Sequence, residues 1–188
     1  GFLIDLLIGD PRWLYHPICL IGNLIAFLEK RIRKIFGKGQ KGELTGGVVE
    51  VLLVCLLSFG IPFAILYVVY VRLDMVWLGL LLETFWCYQL LAAKSLKTES
   101  MRVCDALLHG TIKDARYAVS MIVGRDTESL TQEGVTKAAV ETVAENTSDG
   151  VIAPMFYMAI GGAPLMFLYK GINTMDSMLG YKNDKYLY

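Results

Sequence analysis

Apolar residues run almost unbroken from Gly46 to Val71 and again from Met75 to Ala93, with only Arg72-Leu73-Asp74 between the two runs. A helix of about 20 apolar residues crosses the roughly 30 Å hydrocarbon core of a bilayer. The pattern therefore predicts two spans joined in a tight transmembrane hairpin, residues 46–93, in which Gly60 and Pro62 are tolerated because neighbouring helices can satisfy the freed backbone groups. From Ile18 to Phe36 the pattern changes. Ile18, Ile21, Leu24, Ile25, Leu28, Ile32 and Ile35 recur at helical spacing with cations gathered toward the end, as expected of an amphipathic helix lying in the plane of a membrane surface. Gly1 to Gly9 is apolar apart from Asp5. It is too short to span and lacks the basic start and cleavage site of a signal peptide, so it reads as the last two turns of a longer helix. The absence of an initiating Met and the polar run ending at Tyr188 mark the chain as a piece of a longer protein. A residue before proline is pushed out of the α region, which places Asp10-Pro11 and His16-Pro17 in the turn between the first two helices. The plainer reading of His16 is a turn residue.

Beyond Ala93 the periodicity predicts short amphipathic helices over residues 98–109, 112–123 and 131–145, with Gly110 as a stop. These make a small helical cytoplasmic lobe, residues 94–150, in which Ala115, Val119, Ile122, Val135, Ala139, Thr142 and Val143 face inward and Glu141 and Glu145 face outward. Val151 to Tyr169 is apolar and nearly long enough to span, but Pro154, Gly161, Gly162 and Pro164 interrupt it. Two half-length helices meeting at 161–164 make residues 151–188 a broken, re-entrant membrane segment with a polar motif, of the kind tolerated where protein covers the freed backbone. Re-entry returns Lys170, Asn173 and Asp176 to the side of Glu145 and Asp149, whereas a full crossing would separate the two clusters. The basic loop Lys30, Arg31, Arg33, Lys34, Lys38 and Lys41 puts that side in the cytoplasm by the positive-inside rule.

Composition agrees with the membrane class. The 188 residues are 55% hydrophobic and 19% charged, with mean hydropathy +0.49, against about 25% charged in soluble domains. A formal net charge of zero and no basic, aromatic-interleaved groove exclude nucleic acid as a partner. Cys19, Cys55, Cys87 and Cys104 stand singly among apolar neighbours, as buried reduced thiols do.

Polar chemistry crowds against this apolar sequence. Glu141, Glu145 and Asp149 are spaced by four, and i,i+4 neighbours lie about 6 Å apart at Cβ. Like charges there repel unless a cation lies between them. With the neutral oxygen of Asn146, such hard ligands suit Mg²⁺ carrying bound phosphate; the plainer alternative is a solvated helix face with a polar C-cap at Asn146. Arg125, next to Asp126 and Thr127, offers a planar fork for phosphate or carboxylate, or else a salt-bridged turn with a helix cap. Lys170 and Lys182 flank Asn173, Asp176 and Ser177 as further anion contacts, unless they simply snorkel. Glu83 sits mid-span, where an acid is unusual. It either pairs within the bundle or lines a substrate path. The Gly37–Glu43 loop does not end in Gly-Lys-Ser/Thr and is no Walker A loop, and no hydrolase or zinc-protease motif occurs.

Taken together, Gly9-Asp10-Pro11, His16-Pro17 with Gly22, Val123-Gly124-Arg125-Asp126-Thr127, Ala139-Val140-Glu141, Ala144-Glu145-Asn146, Ser148-Asp149-Gly150, Ala153-Pro154 and the run from Tyr169-Lys170 through Asn173-Thr174-Met175-Asp176-Ser177-Met178-Leu179-Gly180-Tyr181 resemble the CbiB/CobD family of adenosylcobinamide-phosphate synthases. The resemblance covers essentially the whole chain, in order. It implies an all-α, multi-pass protein of the cell membrane with its active face cytoplasmic. The implied reaction is a step of cobalamin biosynthesis in which the corrinoid adenosylcobyric acid is joined through an amide to aminopropanol phosphate, or aminopropanol, with ATP consumed through an acyl phosphate. On that reading Glu145, Asp149 and Asp176 hold Mg²⁺ or the Mg–nucleotide, Arg125 and Lys170 hold phosphate, and Asn146 and Asn173 orient amides or carboxylates. Glu141 or Asp176 accepts the amine proton, and Asp126, Asp10 and His16 join the substrate-binding set. The corrinoid is substrate, not cofactor. An AmpE-like membrane sensor, or less readily a transporter, is the rival reading.

Overall fold

The computed structural model describes residues 1–11, 13–37, 39–183 and 185–187, so Lys38 of the basic loop lies outside the described residues. All regular structure among them is helical: α1 (Phe2–Ile8), α2 (Pro17–Phe36), α3 (Gln40–Tyr67), α4 (Val76–Leu90), α5 (Ala93–His109), α6 (Ile112–Ser120), α7 (Gln132–Thr147) and α8 (Ala153–Leu179). Three runs, Gln40–Arg72, Val76–His109 and Gln132–Leu179, are long and apolar enough to cross a membrane. The protein is an all-α membrane protein.

α3 is apolar on every face, which suits a helix clad partly in lipid rather than water. Val54 and Leu66 turn inward, while Leu52, Leu56 and Phe63 point out, as do Trp77 and Leu81 of α4. A wider, π-type turn at Val68–Arg72 closes α3, and Asp74 takes a left-handed conformation (φ 52°) to reverse the chain. Tyr70 lies so close over Gly79 that any Cβ there would strike its ring. The chain reverses between α3 and α4 as expected, but α3 begins at Gln40, earlier than the apolar run, and beyond the turn α3 and α4 each pack against α8 rather than tightly against one another. α2 packs along α3 and α8 through Ile21, Ile25, Val54 and Met175.

The break in α8 decides the architecture. Gly161 (φ −145°, ψ 25°) and Gly162 (φ 67°, ψ −164°) leave the helical region, and the second of these is a conformation that L side chains avoid. Residues 163–179 then return alongside 153–160, so that the Tyr157 ring stacks on Tyr169 with centroids 5.1 Å apart. Asp149 and Asn173 are hydrogen-bonded at 3.1 Å; in an unbroken helix, 24 residues would separate them by about 36 Å. The segment is therefore folded back on itself, as expected from its Gly and Pro residues. From Asp149 to Gly161 the rise is about 18 Å, roughly half a hydrocarbon core.

Glu83 closes the tip of this fold. Its Oε1 accepts the Ala163 N–H at 3.2 Å, and its Oε2 accepts the Tyr70 hydroxyl at 2.9 Å. The first bond satisfies a backbone donor that the break would otherwise leave bare, a requirement that is severe where water is absent. Of the two readings of Glu83, pairing within the bundle is the observed one.

The lobe packs α5, α6 and α7 around Val103, Ala115, Val119, Val135 and Ala138, with Ile122 and Ala139 against them. Thr111 and Asp114 form a capping box at the start of α6, and Thr131 caps α7. Three boundaries differ from expectation, the first being the end of α6 at Ser120 rather than residue 123. α5 starts at Ala93 rather than residue 98, because the Asp5 carboxylate accepts the Ala93 N–H at 2.8 Å and so caps the helix from a distant part of the chain. α7 does not end at a polar cap near Asn146. It continues through a π-type turn at Ser148–Ile152 into α8.

Candidate functional site

The fold draws four separate stretches to one end of the helix bundle: the 9–17 turn, the α4–α5 junction, the π-type turn after α7, and the returning arm of α8. The junction is non-helical because Leu91 is extended (φ −94°, ψ 154°). This frees the Ala92 N–H to reach the Gly150 carbonyl at 3.2 Å. The Tyr88 hydroxyl donates to the Gly9 carbonyl at 2.7 Å, and the Gln89 side-chain amide donates to the Tyr15 carbonyl at 3.3 Å, fixing the turn against α4. Asp10 accepts the Ser95 hydroxyl at 2.7 Å and stands 3.7 Å from His16 Nε2. His16 is the N-cap of α2, its Nδ1 accepting the Ile18 N–H at 3.2 Å. Burial holds the imidazole below its usual pKa and nearby Lys170 adds to this, against the opposing pull of Asp10. A neutral ring is also what the cap requires, since protonated Nδ1 cannot accept.

At the centre stand Asp149 and Lys170. The Tyr169 hydroxyl donates to Asp149 Oδ1 at 3.3 Å, and Asn173 Nδ2 donates to Oδ2 at 3.1 Å. Lys170 is only 5% exposed, and its Nζ donates to the Asp149 backbone carbonyl at 3.4 Å. Among the described residues no carboxylate lies within 4 Å of that ammonium. A buried cation so sparsely compensated is costly, and a three-donor ammonium with one long bond has capacity left for an anion.

The other candidates spread outward from this centre. Glu145 and Asn146 are exposed one turn before Asp149, with the Asn146 amide on the Thr142 carbonyl at 3.0 Å. Glu141 lies two turns away on the lobe and pairs with Arg125 at 3.0 Å, both about half exposed. Asp126 accepts the Glu128 N–H at 2.9 Å, closing a turn, while its neighbour Thr127 bonds the Arg116 carbonyl at 3.1 Å. Arg125 and Asp126 thus follow the plainer reading, a salt-bridged turn. Asp176 is exposed and borders a groove between α2, α3 and α8.

No three His, Cys, Asp or Glu side chains gather as a metal cage among the described residues. Glu145, Asp149 and Asp176 accordingly do not form a protein-only magnesium site. A lone carboxylate beside amides and a cation does fit Mg²⁺ whose remaining ligands are phosphate oxygens and water, the usual mode for this ion.

Several participants carried little signal in the sequence. Ser95, Gln89 and Tyr15 act through single bonds to distant backbone or side-chain atoms, and nothing in their local sequence marks them. Glu50 was equally visible as Glu83, an acid inside an apolar run, and is 6% exposed with Oε1 unpartnered among the described residues. Its position in a seemingly unbroken span was the signal.

The family model described as CobD/Cbib protein matches residues 1–188. Proteins named cobalamin biosynthesis protein CobD are similar to the chain: 53% identical over 186 residues in Clostridium tetani, 48% over 186 in Geobacter metallireducens and 45% over 189 in Listeria monocytogenes, in each case over 99% of this chain. The chain spans 57–58% of the length of those relatives. No solved structure matches it.

Proposed function

The chain belongs to the CobD/CbiB family of cobalamin biosynthesis proteins, and on that premise we propose that its buried polar centre serves ATP-dependent amide formation between a corrinoid propionate, as in adenosylcobyric acid, and aminopropanol phosphate or aminopropanol. The observation that carries this reading is Lys170, an ammonium buried to 5% exposure with one weak backbone acceptor beside Asp149 and Asn173. A carboxylate or phosphate oxygen there completes its bonding. Charge-assisted hydrogen bonds are among the stronger contacts a site can offer.

ATP, bound with Mg²⁺, would supply the phosphoryl group that makes a carboxylate an acylating agent. The chain's own residues do the rest. Lys170 holds an anionic oxygen in a low-dielectric setting, where the attraction is strong. Asp149, its carboxylate fixed by Tyr169 and Asn173, would be the residue that holds Mg²⁺ through a hard oxygen. Asn146 and Glu145, one turn outward, line the approach from water. Arg125 meets a phosphate only by exchanging its Glu141 partner. The basic residues Arg31, Arg33, Lys34 and Lys41 around the α2–α3 connection support a cytoplasmic location for that connection under the positive-inside rule.

Lys170→Met in the full-length protein tests the reading. Turnover should fall by about 10²–10³, the loss typical of one charge-stabilising donor, while thermal stability holds or rises because a buried charge is gone. Wild-type turnover in a folded Lys170→Met protein would remove Lys170 from the chemistry.

A further inference from the structure

A second polar feature lies outside the centre just described. α2, α3 and the returning arm of α8 enclose an open groove of about 660 Å³ whose walls are mostly apolar. Glu50 borders it, 6% exposed, with Oε1 lacking any hydrogen-bond partner among the described residues. Glu29, Glu43 and Asp176 also border the groove, against the cations Arg33 and Lys185. Those cations are already engaged, since Arg33 Nε and Lys185 Nζ each lie 3.0 Å from Glu29 and Arg33 Nη2 donates to the Lys185 carbonyl at 2.8 Å. The lining is therefore net acidic, and its most buried acid is the one left without a partner.

A carboxylate in that position calls for a donor, and the surplus negative charge selects a cationic one. We propose that this groove binds the ammonium group of a short primary alkylamine, with Glu50 as its acceptor and Asp176 beside it. The proposal rests on the amide-forming reading above and names the place of its amine substrate. Asp176 links the two sites. It borders the groove and lies three residues beyond Asn173, the partner of Asp149, on the same helix, about 4.5 Å further along its axis. On this proposal Asp176 serves the amine and not the metal.

The test uses the full-length protein in lipid nanodiscs, with 1-amino-2-propanol and its O-phosphate as separate probes in calorimetric titrations. Glu50→Gln keeps the shape and an acceptor oxygen but removes the charge, and Glu50→Met keeps the approximate size while removing both the charge and the oxygen acceptors. Binding of whichever amine the wild type takes should weaken about tenfold to a hundredfold in either variant, the loss of one charge-assisted bond. The KM for that amine should rise in parallel while the KM values for ATP and corrinoid stay fixed, a split that a merely structural role for Glu50 would not give. Amine affinity unchanged in Glu50→Gln overturns the proposal, as does absence of amine binding to the wild type; a groove filled by lipid or by a further part of the chain would give one of these results. Binding is read without turnover, so Glu50-dependent amine binding by a protein that forms no amide would sustain this site and refute the reaction. Normal amide formation with unchanged amine KM in Glu50→Gln would do the reverse.

Discussion

Asp149 and Glu141 stand two turns apart on one continuous helical run, about 12 Å along the axis, and each meets a cationic side chain's neighbourhood with opposite consequences. Glu141 pairs directly with Arg125, but both are half exposed and water competes for each. Asp149 is fixed by two side-chain donors, and its backbone carbonyl accepts from a lysine of α8 that is buried to 5% exposure and has no direct carboxylate contact among the described residues. Motif density is alike in the two regions, and burial separates them. In the lobe the charges have already satisfied one another at little gain, whereas at the bundle end the fold keeps a cation under-compensated. A structure holds such a group only where the rest of the fold fixes it, and here the helical hairpin of α8 does so.

The largest expected effect comes from loosening that hairpin. Glu83→Leu strips acceptors from the Ala163 N–H and the Tyr70 hydroxyl and should cost about 2–4 kcal/mol in unfolding measurements. Turnover should fall with it, although Glu83 is far from Asp149 in sequence. Glu83→Gln, which retains one acceptor for Ala163, should recover most of both. Equal losses in the two variants would show that the negative charge, and not the capping bond, is what the tip needs.

A smaller effect is expected at the edge of the centre, and it depends on pH. Because burial depresses the His16 pKa, the folded chain favours the neutral ring. Its stabilisation is therefore complete above the ordinary value of 6.5 and is lost as pH falls through the lower folded value. His16→Asn keeps an N-capping acceptor without titrating and should flatten this acid limb, while His16→Ala should cost about 1 kcal/mol at neutral pH. An identical acid limb in His16→Asn would assign the pH dependence elsewhere.

The smallest effect belongs to the lobe. Arg125→Ala and Glu141→Ala should each change stability by less than about 0.5 kcal/mol, with a coupling of about 0.2–1 kcal/mol in a double-mutant cycle. A coupling of several kcal/mol would erase the distinction between the two regions.

Much of this arrangement was legible in the sequence, for identifiable reasons. The spans follow from apolar run length, and the break at 161–164 follows from glycine and proline in a segment that otherwise would cross. That break is enough to bring Asp149 and Asn173 to one side. Glycine could mark the reversal because φ 67° at Gly162 is a backbone state that few other residues adopt. Side-chain partners at long sequence separation were less visible. Asp5 capping α5, Ser95 on Asp10 and Tyr88 on Gly9 are single bonds set by tertiary geometry, and no local spacing announces them. The i,i+4 spacing of Glu141, Glu145 and Asp149 suggests oxygen ligands that share a cation, but each step of four residues advances the helix by 40° as well as about 6 Å. The first acid therefore ends beside Arg125 and the last beside Tyr169 and Asn173. Asp176 misleads in the same way, being near Asn173 along the helix but on the adjoining face.

The central claim is that the α8 segment folds back and brings Asp149 against Asn173. Cysteine cross-linking tests it most directly: Asp149→Cys and Asn173→Cys together, in an otherwise cysteine-free full-length protein in native membranes. The account predicts rapid disulfide formation on mild oxidation, with both cysteines modified from the same side by an impermeant reagent before oxidation. No cross-link, together with modification from opposite sides, would mean that the segment crosses the membrane and that the polar centre does not assemble.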